Sequence, residues 1–250
     1  MSSMAISSVV FACVFGGALF GLLLRALLPT HHLGAESKDL VKVGMGLIAT
    51  MAALVLGLLI ASAKSSFDSQ KSELAQMSAN VILLDRLLAH YGPETKEARD
   101  LLRGAVTSLL ERIWHENDSQ SAKFQPTTAY EKLYDMIQDL TPKNEAQRSL
   151  QAQALKVGID IAQTRLLLFA QRGSSIPLPF LVVLVFWLTI LFASFSLFAP
   201  ANATVVATLL VCTLSVSGAI FLILELDRPF DGLIQISSGP LRNALTQLGQ

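Results

Sequence analysis

A chain of 250 residues that is 52% hydrophobic and only 15% charged, with a mean hydropathy of +0.52, is too apolar for a water-soluble domain and points to lipid as its solvent. Its 19 basic residues balance 19 acidic ones, which leaves no charge excess to draw nucleic acid. The two cysteines, Cys13 and Cys212, both fall inside long apolar runs, so no disulfide framework is indicated.

A bilayer core about 30 Å thick needs roughly 20 apolar residues of helix, at about 1.5 Å of rise per residue. The first segment of that length runs from Ala5 to Leu28 and is stopped by Pro29. It lacks the basic n-region of a secretory leader, and a second apolar segment follows closely, which favours a span over a signal peptide. On it, Cys13, Gly17 and Gly21 form a small-residue ridge, with Arg25 one turn further along the same line. Arg25 lies near the span's end, where it can snorkel to the headgroups or attract anions at an outer vestibule.

The second span, Val43 to Ala63, carries a similar ridge at Ala49, Ala53, Gly57 and Ala61. Such ridges let helix backbones approach closely, and packing of the two hairpinned spans on each other accounts for at least one of them. The alternative is that Thr50, Leu54, Gly57, Ala61 and Ser65 line a narrow, mostly apolar pore in a homo-oligomer. No proline interrupts the chain between Pro29 and Pro93, so the span is expected to continue as one long helix ending at Gly92-Pro93. Along the extension Leu74, Met77, Val81, Leu84, Leu88 and Tyr91 make a heptad seam, read first as core packing within one subunit.

Three further amphipathic helices follow. Glu94 to Trp114 presents Ala98, Leu102, Ala105, Leu109 and Ile113. After a polar loop, Glu116 to Gln125, a shorter helix enters at Pro126-Thr127-Thr128, carries Tyr130, Leu133, Ile137 and Leu140, and closes at Thr141-Pro142. Lys143 to Gln171 aligns Leu155, Ile159, Ala162, Leu166 and Phe169 before Gly173-Ser174-Ser175. A third span runs from Pro177 to Ala199 and a fourth from Ala203 to Leu224, joined by the hairpin at Pro200-Ala201-Asn202.

The fold expected is therefore an all-α integral membrane protein with four transmembrane helices and an inserted helical bundle. Its parts are a first hairpin (1–63), the bundle (64–176), a second hairpin (177–224) and a tail (225–250). Lys64, Lys71, Arg165, Arg172, Arg228 and Arg242 outnumber Lys38, Lys42 and Arg25 on the other side, which places bundle and termini in the cytoplasm of a plasma-membrane protein.

The fourth span ends in Glu225-Leu226-Asp227-Arg228-Pro229-Phe230-Asp231-Gly232, where Pro229 stops the helix, Gly232 permits a turn and Phe230 offers an interfacial aromatic anchor. Glu225 suits an interfacial ion pair with Lys64 or Arg172. Alternatively Glu225, Asp227 or Asp231 forms a ring of carboxylates at a pore mouth. Leu241, Ala244, Leu245 and Leu248 then make a short docking helix.

Leu224 to Gly232, the following Ile236-Ser237-Ser238-Gly239-Pro240-Leu241 and the second-span end Gly57-Leu58-Leu59-Ile60-Ala61-Ser62-Ala63 resemble a family of prokaryotic four-span membrane proteins of uncharacterised function, the bestrophin-like proteins. The resemblance extends over most of the chain. Bestrophins are pentameric anion channels with four membrane segments and a helical cytosolic part, so the resemblance implies an ion channel. The bestrophin aromatic neck and calcium-binding acidic cluster have no counterpart here, and no pore or metal residue carries over.

Enzyme chemistry finds little support. Gly44-Met45-Gly46-Leu47-Ile48-Ala49 fits a dinucleotide-binding pattern but follows no strand and opens an apolar span. There is no P-loop, no G-x-S-x-G elbow and no His-Glu metal motif, and His31-His32, His90 and His115 lack ligand spacing. The function expected is passive ion conduction through an axial pore of a homo-oligomer, with lipid, inorganic ions and self as partners, without cofactor. The alternative is a non-conducting scaffold or regulatory subunit that recruits a partner through its helices.

Overall fold

The computed structural model describes residues 2–28, 35–114, 128–171 and 176–249. Eight α-helices occupy them: α1 (Ser3–Leu27), α2 (Ala35–Tyr91), α3 (Lys96–Trp114), α4 (Thr128–Gln138), α5 (Glu145–Ala170), α6 (Leu178–Phe198), α7 (Ala203–Leu226) and α8 (Gly239–Gln247). No strand occurs among the described residues. The expected stop at Pro29, the pair His31-His32, His115, the loop Glu116 to Gln125, Pro126, Arg172 and Gly173-Ser174-Ser175 lie outside them.

Four helices, α1, α2, α6 and α7, are long and apolar enough to cross a membrane. Residues just before α1, α5 and α7 terminate these helices by capping: the side chains of Ser2, Asn144 and Asn202 accept from the backbone N–H three residues on. Pro177 precedes α6, where its missing N–H costs no helical bond. Hydroxyls within the spans donate to the carbonyl four residues back, as Ser7, Thr50, Thr189 and Thr213 do. Lipid offers such groups no other partner.

The chain divides into two compact units. The first comprises Met1–Phe67 and Ser174–Arg228. Its core joins Val14 and Ala18 of α1, Ala52 and Leu59 of α2, Leu184 of α6 and Ile220 of α7. Helix α1 packs along both α6 and α7. Gly17 faces Thr189 and Gly21 faces Ala193, so α1 and α6 run parallel. Of the first-span ridge, Gly17 and Gly21 therefore serve α6, while Cys13 is exposed. The expectation that the second-span ridge packs on its hairpin partner is corrected as well: Ala53, Gly57 and Ala61 are uncovered, and a Cβ on Gly57 would meet nothing within 4 Å. The helix instead buries the opposite stripe, Met45, Ala52, Leu59 and Ala63.

The second unit comprises Asp68–Gly173 and Pro229–Gln250. The heptad seam of α2 is its centre, with Leu74, Met77, Val81, Leu84, Leu88 and Tyr91 each 3% exposed or less. Core packing within one chain is thus the role of the seam, which removes the main support for its pairing with another protein. Gly92, at φ 145°, turns the chain through a short 3₁₀ segment, Pro93–Thr95, into α3. The buried Thr95 hydroxyl lies 2.6 Å from the Leu88 carbonyl and 2.8 Å from that of Gly92, closing the end of α2. Thr95→Val keeps the shape but takes the hydroxyl donor from the Leu88 carbonyl, while the Gly92 carbonyl keeps the Thr95 N–H, and thermal unfolding should show a loss of about 1–3 kcal/mol.

Helix α3 buries Ala98, Leu102, Val106, Leu110 and Ile113, a face displaced from the expected Ala105 and Leu109, which are only half-buried. Helix α5 departs further. It buries Ala154, Val157, Gly158, Ile161 and Leu168 and leaves Ile159 and Leu166 exposed. Helix α4 meets this face, its Tyr130 hydroxyl donating to the Gly158 carbonyl at 3.4 Å. Glutamines of α5 also cap its neighbours: Gln147 donates to the Tyr91 carbonyl at 2.9 Å, and Gln151 to those of Ile137 and Leu140 at 2.9 Å.

Candidate functional site

At about 100° per residue, Thr50, Leu54, Gly57, Ala61 and Ser65 fall on one side of α2, opposite Met45, Ala52, Leu59 and Ala63. All five are exposed, Leu54 by 70%. The structure brings them into one uncovered stripe in which the only large side chain is Leu54. Thr50 satisfies its own hydroxyl by donating to the Gly46 carbonyl at 2.9 Å, so the stripe demands no polar partner.

The charged candidates are dispersed. Arg25, in the last turn of α1, is half-buried, and its Nη1 is enclosed without a hydrogen-bond partner among the described residues. A guanidinium held this way is more costly than one that simply snorkels. Glu225 is buried in the last turn of α7, which continues two residues beyond the expected end at Leu224. Asp227 is half-buried at the C-cap, and Asp231 is exposed in the loop that follows. The Lys64 ammonium lies 5.6 Å from the centre of the Phe67 ring.

Phe230 is buried rather than offered to headgroups. Its ring meets Trp114 edge-on at 5.9 Å. The indole of Trp114 donates to the Ile236 carbonyl at 3.0 Å, while Ile236 N–H donates to the Pro229 carbonyl at 2.7 Å. These bonds close the Pro229–Ile236 stretch into a loop, and Gly232 at φ 115° supplies its turn. The Pro-Phe-x-Gly element thus builds the second unit, and α8 packs on α3 through the buried Leu241 and Ala244.

Sequence reasoning missed a charge network in this unit. Asp85, 4% exposed, accepts from Arg99 Nε at 2.7 Å and Nη2 at 2.9 Å, and from the Gly249 N–H at 3.3 Å. Hydrogen bonding to Asp85 holds the Arg99 guanidinium protonated beyond its ordinary range. The available signal was an aspartate beside the seam, between Leu84 and Leu88, with an arginine two turns past the Gly-Pro break. No group of three or more His, Cys, Asp or Glu side chains suited to a metal occurs among the described residues.

Four apolar helices of spanning length, with no strand among the described residues, define an integral membrane protein of the all-α class. The chain belongs to the bestrophin-like family: the family's model, the bestrophin-like domain, matches residues 12–241, nearly the whole sequence. No curated protein and no solved structure matches it.

Proposed function

We propose that the protein is a homo-oligomeric ion channel in which the uncovered stripe of α2, Thr50 to Ser65, faces the axis. The observation that carries this reading is the division of α2 into two sides: Met45, Ala52, Leu59 and Ala63 go into the chain's own core, and the stripe from Thr50 to Ser65, with Leu47 and Leu58 beside it, is left for something outside the chain. A conduit of that kind is narrow, apolar and sparsely hydroxylated, suited to gating by dewetting. Membership of the bestrophin-like family supports a channel-like role. In this reading the second unit and both termini are cytoplasmic, in a plasma membrane, as the distribution of lysine and arginine favours. Asp231 is the carboxylate best exposed to act on cations near a mouth, with Asp227 half-exposed and Glu225 enclosed.

Gly57 has open space at its Cβ, so Gly57→Phe leaves the chain's own packing intact. Reconstituted wild type should carry current across planar bilayers. Gly57→Phe should reduce it at least tenfold, with unchanged particle size by gel filtration. Equal currents from both would place the stripe away from the conduit.

A non-conducting scaffold is the second reading, supported by Ile159, Leu166 and Leu167 exposed on α5. Absence of wild-type current over wide ranges of voltage, pH and calcium, together with monomeric particles, would favour it.

A further inference from the structure

The second unit holds a charged recess that neither its core nor conduction uses. It lies between the start of α3 and the end of α8, has about 120 Å³ of room, and is lined by Lys96, Arg99, Asp100, Arg103, Leu248 and Gly249. That room suits one small ion rather than a drug-sized ligand, whose sites span roughly 300–1,000 Å³. At about 100° per residue, Lys96, Arg99, Asp100 and Arg103 share one side of α3. Lys96, Asp100 and Arg103 are exposed. Opposite them Gly249, at φ 87°, presents bare backbone, and a Cβ there would stand 3.8 Å from Arg103 Nη1.

The charges of the recess are not equivalent. Arg99 is engaged: Asp85 accepts from its Nε at 2.7 Å and its Nη2 at 2.9 Å, which fixes the back of the recess and cancels that charge. Lys96 and Arg103 are not engaged. Among the described residues neither side chain has a hydrogen-bond or ion-pair partner, although Asp100 lies one turn of helix from each. Lys96 is also the first residue of α3, the end at which the helix dipole disfavours a cation and favours an anion. Asp100 offsets only one of the two open cations, so the recess keeps a positive excess toward solvent.

We propose that this recess binds a phosphate group, which bridges the Lys96 ammonium and the Arg103 guanidinium. Both are donors without an acceptor, and the planar fork of an arginine matches two oxygens of a tetrahedral oxyanion. Asp100 repels the bound group, which keeps its affinity modest and its exchange with the medium free. Asp85 already holds the Gly249 N–H at 3.3 Å, so the bound group sits beside an existing clasp between α2 and the end of α8.

The test is calorimetric titration of sodium phosphate into the full chain in phosphatidylcholine nanodiscs, in chloride buffer, with empty nanodiscs subtracted. Wild type should bind saturably. Lys96→Gln and Arg103→Gln, both at exposed positions, should each weaken binding about tenfold, the worth of one charge-assisted hydrogen bond. Both should melt with wild type when phosphate is absent. Asp100→Asn should tighten binding severalfold, a gain that damage to the fold does not produce. Glycerol 3-phosphate separates the sources of the group: tighter binding than the inorganic ion assigns the recess to a phosphorylated metabolite, and weaker binding assigns it to free phosphate. No saturable binding of either to wild type overturns the proposal, as do unchanged affinity in Lys96→Gln or Arg103→Gln and weakened binding in Asp100→Asn. None of these readouts depends on whether the protein conducts.

Discussion

Asp85→Ala should destabilise the second unit by about 3–5 kcal/mol, because it leaves the Arg99 guanidinium charged in a site built for its partner. The carboxylate is nearly enclosed and Arg99 is only 21% exposed, so water replaces little of what is lost. The same substitution removes the acceptor that holds the Gly249 N–H, and α8 should become more protease-sensitive as a result. Thermal unfolding followed by Trp114 fluorescence in a Trp187→Phe background reads the first effect, and limited proteolysis reads the second. The double variant Asp85→Leu with Arg99→Met should recover much of the loss, since an apolar pair of similar volume needs no desolvation of charge. A single variant that melts with wild type would show that the pair contributes nothing.

Gly21→Leu should break the α1–α6 contact. A Cβ at Gly21 would run into the Ala193 carbonyl, a backbone group on a packed helix that cannot rotate away. Overpacking of this kind costs about 1–3 kcal/mol, and a full leucine lies at the upper end. Gly16→Leu is the matched control, because its Cβ would meet nothing within 4 Å. The expected result is a lower thermal midpoint in nanodiscs for Gly21→Leu and none for Gly16→Leu. Equal behaviour would mean that α1 and α6 can separate without penalty.

The candidate conduction residues were recognisable as a set before the structure, since Thr50, Leu54, Gly57, Ala61 and Ser65 share one helical face by spacing alone. Which face α2 turns toward its own core was not recognisable. Small residues suit both a tight contact inside the subunit and a surface held for another, and periodicity contains no sign that separates them. The structure sets Gly17 and Gly21 of α1 against α6 and leaves Ala53, Gly57 and Ala61 of α2 open, with Ala49 packed on the core. Phe230 shows the same ambiguity: an aromatic at a span's end suits a headgroup anchor, but Trp114, more than a hundred residues earlier, is its partner.

What the sequence determined by itself was local or solvent-driven. Length and hydropathy required four helices in lipid, the proline-free run from Pro29 to Pro93 required a long α2, and Gly92-Pro93 set its end to the residue. What only the tertiary structure decided depended on long-range matching. Helix α5 carries two apolar stripes, and the one with Val157 and Ile161 is buried while Ile159 and Leu166 of the other are exposed. The pairing of Asp85 with Arg99 brings together helices that sequence periodicity treats separately. A helical pattern states which residues share a face, but the partner that covers that face is fixed by the shape of the other helices.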